Sequence, residues 1–191
     1  YSSFMVSNQV VVKSKKFNTE QGYIWMSDGK GSYSIEKTEV ANHGTEITLS
    51  IKKDENEYLD NFRIEEIVKK YSDFVPIPIY VTGDEDKKEE DKKSQVNSAE
   101  AIWLKDKTKI KKEEYESFYK QSSTYYDEPL KTIHFKAEGV VNYSSLLFLP
   151  KSQPHDLYHP DRKNKLKLYV NKVFISDKLE TIIPAWLRFI P

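Results

Sequence analysis

The stretch GDEDKKEEDKKSQV, residues 83–96, decides how the chain is organised. Ten charged residues, six acidic and four basic, stand in a row at 84–93, and no apolar side chain occurs between Gly83 and Val96. A segment with nothing apolar to bury cannot offset the entropy of ordering it, so the run reads as a solvated linker between two folded parts. Glu-to-Lys spacings of three and four leave a solvated helix as the alternative. The linker reading predicts that limited proteolysis cuts first between Gly83 and Gln95.

The two sides of the run differ in pattern. Upstream, 10–15, 23–26, 33–35 and 45–51 read as strands, and the Asp28-Gly29 step between the second and third supplies the positive φ of a hairpin turn. In 45–51 the alternation is strict, with Ile47, Leu49 and Ile51 on one face and Thr48 and Ser50 on the other, the mark of a half-buried strand. Ile64, Ile67, Val68 and Tyr71 then recur at helical spacing, and Pro76 and Pro78 end that helix in an extended segment. Downstream, 101–104 reads as a short strand and 111–121 as a helix with Tyr115, Phe118 and Tyr119 on one face. Strands follow at 132–137 and 143–149 around Gly139, then at 166–170, with 173–175 continuing the extended chain. Leu179, Ile182, Ile183, Trp186, Leu187 and Ile190 fit a helical stripe beginning near Pro184. The expected fold class is α+β: an antiparallel sheet with helices, then an α/β segment.

Composition removes several function classes. The 30 basic and 30 acidic residues cancel, so no overall field draws the chain to nucleic acid or membrane. Locally, residues 1–82 carry 10 basic and 12 acidic side chains and residues 101–191 carry 16 and 11, net −2 against net +5. The absence of cysteine excludes disulfides, thiol catalysis and Cys-ligated zinc, and fits a reducing compartment. Apolar runs are far shorter than the ~20 residues of a membrane span, and YSSFMV has neither a basic lead nor a cleavage site. Both ends are apolar where natural termini are usually polar, so the chain is expected to be an internal fragment.

Candidate chemistry is sparse. His155 and His159 have the four-residue spacing of a zinc pair on a helix, but Pro154 and Pro160 flank them and no third ligand has an evident spacing, so no metal is expected. Arg162, Lys163, Lys165, Lys167 and Lys172 interleave with Tyr158 and Tyr169, which suits a nucleic-acid or acidic-protein contact. But Lys165 and Lys167 alternate with Leu166 and Leu168, the pattern of the wet face of a strand, and that reading is preferred. Gly29-Lys30-Gly31 is followed by a strand rather than a helix, so it is a turn and not a phosphate cradle. No carboxylate pair stands out as acid and base.

Read in order, YSSFMV (1–6), GYIWMSDGKGSYSI (22–35), HGTEITLSIK (43–52), FRIEEIVKKYSDF (62–74), SAEAIW (98–103), EEYESFYK (113–120), DEPL (127–130), YSSLLFLPKSQPHDLY (143–158), KLKLYVNKVFISD (165–177) and IIPAWLRFIP (182–191) resemble the heat-shock protein 90 family, in its bacterial form. The resemblance covers essentially the whole chain and is weakest in the charged run.

That family is an ATP-driven chaperone, a homodimeric clamp. By the resemblance, residues 1–82 are the C-terminal part of the N-terminal GHKL-type ATPase domain, 83–97 the charged interdomain linker, and 98–191 the N-terminal part of the middle domain. ATP and Mg belong to the parent, and none is expected on this fragment. The catalytic Glu, the Mg-ligating Asn, the adenine-reading Asp and the glycine-rich lid would precede Tyr1, and the γ-phosphate Arg would follow Pro191. No catalytic residue is therefore expected within this chain. Thr45, in HGTEI, matches a nucleotide-pocket residue, and an ordinary strand hydroxyl is the other reading. Trp25 falls near the pocket wall or in the core. Trp103 matches the Trp that opens the middle domain, where client contacts are proposed; core packing is its alternative. The loop PKSQPHDLY matches an interdomain loop of the family, with His155 in place of an exposed Phe and Tyr158 as the second aromatic. The resemblance implies unfolded or partly folded client proteins as partners, a homodimer formed through a C-terminal domain absent here, a cytoplasmic location, no membrane and no nucleic acid. The rival reading is a stand-alone binding module using the basic strand at 162–172 for nucleic acid or acidic protein.

Overall fold

The structure is a computed structural model that describes residues 2–82, 94–123, 127–155, 157–159, 162, 165–179, 182, 184–187 and 189–190. The charged run 84–93 lies outside them, and with it all of the expected linker 83–97 except 94–97. The fold is α+β, and every strand pairing among the described residues is antiparallel. The chain forms two compact units, Tyr1–Ile64 and Glu65–Pro191.

The first unit is a four-stranded sheet made of β1 (Ser7–Lys15), β2 (Gly22–Ser27), β3 (Tyr33–Thr38) and β4 (Gly44–Ile51), in the order β3-β2-β1-β4. Its register follows the alternation in the sequence. Val12 lies opposite Trp25 on β2 and Ile47 on β4, Val10 lies opposite Leu49, and Trp25 lies opposite Ile35. Paired residues share a face, so these six side chains make one apolar surface. Val10 is buried there, but Ile47 stays 61% exposed, so the half-buried strand expected at 45–51 is covered only at its far end. A short helix, α1 (Ser3–Val6), leads in. Lys52 donates to the carbonyls of Phe4 and Met5 at 3.0 and 2.8 Å, satisfying acceptors that a helix C-terminus leaves open. In the β2–β3 turn the Asp28 carboxylate accepts from the Lys30 N–H at 3.0 Å. Gly29 has φ +77°, and a Cβ there would sit 2.8 Å from the Phe4 ring, so glycine is required twice over.

The division between the units falls inside α2 (Asn61–Tyr71), whose entry is capped by the Asp60 carboxylate accepting from the Phe62 N–H at 2.9 Å. In the second unit β5 (Tyr80–Val81) pairs with β6 (Ser94–Gln95). Asn97, buried, extends that pairing with its side chain. Its amide donates to the Val75 and Ile77 carbonyls at 3.0 Å each, and its Oδ1 accepts from the Ile79 N–H at 2.8 Å. The segments on either side of the charged run are thus laced to each other.

The core of this unit is aromatic. The Phe74 ring lies 4.6 Å from Trp103, 5.3 Å from Tyr169 and 6.1 Å from Phe118, between ring centroids. Phe118 and Tyr119 come from α3 (Lys112–Ser122), and both rings meet Phe148 on β8 (Tyr143–Pro150), which pairs with β7 (Pro129–Ala137). Tyr169 and Phe174 come from β9 (Leu168–Val170) and β10 (Val173–Ser176).

Three expectations are corrected. The strand expected at 101–104 is a 3-10 turn, Ile102–Leu104, closed by Leu104 N–H to the Ala101 carbonyl at 3.0 Å. Burial of Ala101 and Ile102, with Trp103 turned into the aromatic cluster, takes the place of strand pairing. The strand expected at 166–170 shortens to β9, and 173–175 does not continue it. Asn171 and Lys172, at φ 50° and 68°, reverse the chain into a tight hairpin with Val170 opposite Val173. In the stripe expected to be helical near Pro184, the described helical residues are one 3-10 turn, Ala185–Leu187.

Candidate functional site

Thr45 stands on β4 two positions from Ile47, on the apolar face of the first sheet. Its register partner is Ser14 on β1, and the two hydroxyls meet at 2.9 Å, either being able to donate. Ser14 also reaches the Gly44 carbonyl at 3.4 Å. Thr45 is exposed, and with Ser14 it forms a polar pair at the edge of the apolar surface. Trp25 shares that face and packs with Phe4 and Tyr33 at 6.5 and 6.3 Å, so its indole serves the sheet's own packing.

Trp103 is half-buried in the aromatic core, 4.9 Å from Tyr169 and 6.0 Å from Phe118, which favours packing over client contact. A polar clasp that sequence reasoning missed holds its backbone. His134 on β7 lies 2.7 Å by Nδ1 from the Tyr115 hydroxyl and 3.0 Å by Nε2 from the Trp103 carbonyl. A carbonyl can only accept, so Nε2 donates to Trp103, and the bond between Nδ1 and the Tyr115 hydroxyl completes the clasp. Burial, and after it the Glu114 carboxylate, push the Tyr115 phenol above its usual value, so it remains a donor. Burial, followed by the Asp73 carboxylate, pushes Tyr169 up to about 12. The one available signal for His134 was a lone histidine in the 132–137 alternation. Ile133 and Phe135 would be placed inward by that alternation, yet both are 43% exposed while His134 faces α3.

The loop after β8 shows its candidates to solvent. His155 and Tyr158 are exposed, the latter 80%, while Pro150 and Pro154 beside them are buried. The Leu157 N–H bonds to the Pro154 carbonyl at 3.1 Å, closing a turn between the two outward side chains. The loop therefore has an inner face of prolines and an outer face of His155 and Tyr158, the division expected of a contact segment. Asp127, another residue that sequence reasoning missed, holds its first turn. One carboxylate oxygen accepts from the Ser152 N–H at 2.8 Å and the other from the Tyr119 hydroxyl at 3.2 Å.

The described residues of the basic run differ in their surroundings. Lys167 reaches the Ser122 carbonyl at 3.3 Å, Arg162 is buried, Lys172 is a turn residue, and Lys163 lies outside the described residues. No group of three metal-ligating side chains comes together among the described residues, and no described helix is long and apolar enough to cross a membrane.

Comparison with known proteins places these features in a family. The family model for the Hsp90 protein matches residues 82–191. Over 190 residues the chain is 46% identical to the chaperone protein HtpG of Paramagnetospirillum magneticum, covering 100% of this chain and 30% of that protein. It is 45% identical over 191 residues to HtpG of Rickettsia bellii and 46% identical over 191 to HtpG of Orientia tsutsugamushi, again covering 100% of this chain and 30% of each relative. The chain thus spans about 30% of the length of these curated relatives, and it belongs to the Hsp90 protein family.

Proposed function

We propose that this chain is a section of an ATP-dependent molecular chaperone, with 1–82 the end of its ATPase domain, 83–97 the charged connector and 98–191 the start of its middle domain. The observation that carries the reading is similarity to HtpG chaperones along the entire chain. The start of the Hsp90 match at residue 82 supports the division. In this reading ATP and Mg act in the whole protein. When bound, they supply the phosphoryl chemistry, and this chain supplies Thr45 as a hydroxyl toward the nucleotide and no catalytic group. The mechanism is gating, in which nucleotide changes how the two domains are coupled across the connector. Tyr158 and His155 act as a client or interdomain contact. The whole protein works as a homodimeric clamp on unfolded clients in the cytoplasm.

The test replaces the matching region of the P. magneticum chaperone with residues 1–191 and measures aggregation of a chemically unfolded protein. The chimera is expected to suppress aggregation in a nucleotide-dependent way, with Tyr158→Ser weakening it. Suppression equal with and without nucleotide would overturn the gating reading.

A further inference from the structure

Asp127 lies between α3 and the loop that follows β8. On one side is Tyr119, fully buried on α3, with its ring 5.2 Å from Phe148. On the other is the backbone of Ser152, two residues past the end of β8 and three before His155. The Tyr119 O–H donates to Oδ1 and the Ser152 N–H to Oδ2. A bidentate acceptor on a buried anchor fixes both position and direction of the backbone it holds.

We infer that Asp127 is a positioning residue for the loop at 151–159: its carboxylate, seated on Tyr119, sets the Ser152 backbone and through it the turn that presents His155 and Tyr158. Burial alone would raise the Asp127 carboxyl; the Ser152 and Tyr119 donors outweigh it and hold it below the ordinary carboxylate value, in keeping with an ionised acceptor at neutral pH. Exposed side chains on a loop serve recognition only when the backbone beneath them is held, because an unheld loop pays its ordering entropy on binding. The inference rests on the contact-loop reading for its purpose but not for its geometry.

The experiment is residue-resolved amide hydrogen exchange on this chain, as wild type, Asp127→Asn, Asp127→Glu and Tyr119→Phe. Asparagine keeps an acceptor for one donor but sets an N–H₂ against the other. Exchange at Ser152 is expected to rise about ten-fold or more in Asp127→Asn, with a smaller rise at Leu157 and none at Leu147. Asp127→Glu restores a carboxylate and is expected to recover much of the protection. Tyr119→Phe, which keeps the ring in the core, raises exchange at Ser152 alone. Unchanged Ser152 exchange in Asp127→Asn overturns the proposal. So does an equal rise at Ser152 and Leu147, which marks a residue serving only general stability. A Tyr158→Ser chimera with undiminished client holding would instead overturn the contact reading and leave the exchange result standing.

Discussion

Tyr169 carries the sharpest pH signature of any single side chain described. A tyrosine in the unfolded chain loses its proton near pH ~10, whereas folded Tyr169 holds its proton to about 12. The unfolded state therefore sheds the proton first, and stability falls as pH rises through that window, with nothing lost below it. Urea midpoints measured from pH 8 upward should decline above ~10 for the wild type, and Tyr169→Phe should remove part of the decline. Identical profiles for the two would show that the phenol is not held in the cluster. Tyr115 tests the neighbouring clasp. Tyr115→Phe leaves His134 Nδ1 without this partner, and an unmade partly buried bond of this kind costs about 1–2 kcal/mol, readable as a lower urea midpoint at unchanged slope.

At the level of elements, the legible parts were those in which one periodicity dominates. The alternation of Ile47, Leu49 and Ile51 fixed a strand, and the positive-φ demand at Asp28-Gly29 fixed a turn. The aromatic spacing of Tyr115, Phe118 and Tyr119 fixed α3, and two of its rings, Phe118 and Tyr119, meet Phe148. The illegible parts depend on partners distant in sequence. Asn97 lies about 20 residues from the carbonyls it bonds, and Asp127 lies 25 from Ser152, so no local pattern announces either. Residues 101–104 misled because apolar residues in a short run suit a strand and a buried 3-10 turn alike. Lys172 misled because its charge suggested a surface contact whereas its backbone makes a turn. At φ 68° a side chain costs about 1 kcal/mol that glycine does not pay. Lys172→Gly is therefore expected to stabilise the second unit by roughly that amount in chemical denaturation, and a loss of stability would mean that the lysine side chain has a contact outweighing the strain.

For the whole molecule, the chain spans about 30% of the length of its curated relatives, and in the proposed reading most of the nucleotide site belongs to the parent. In that reading the chain's own contribution toward a nucleotide is Thr45, whose bonds are worth about 0.5–1.5 kcal/mol each. A micromolar site needs ~8 kcal/mol. Calorimetry of this chain with ATP and magnesium is expected to show no saturable micromolar binding, and a saturable isotherm would place a nucleotide site among these residues.

The central claim is that these 191 residues serve an ATP-dependent chaperone. ATP turnover by the P. magneticum chimera tests it most directly. Turnover close to that of the unaltered relative, reduced by Thr45→Val, is the expected result. A folded chimera that hydrolyses no ATP would contradict the claim.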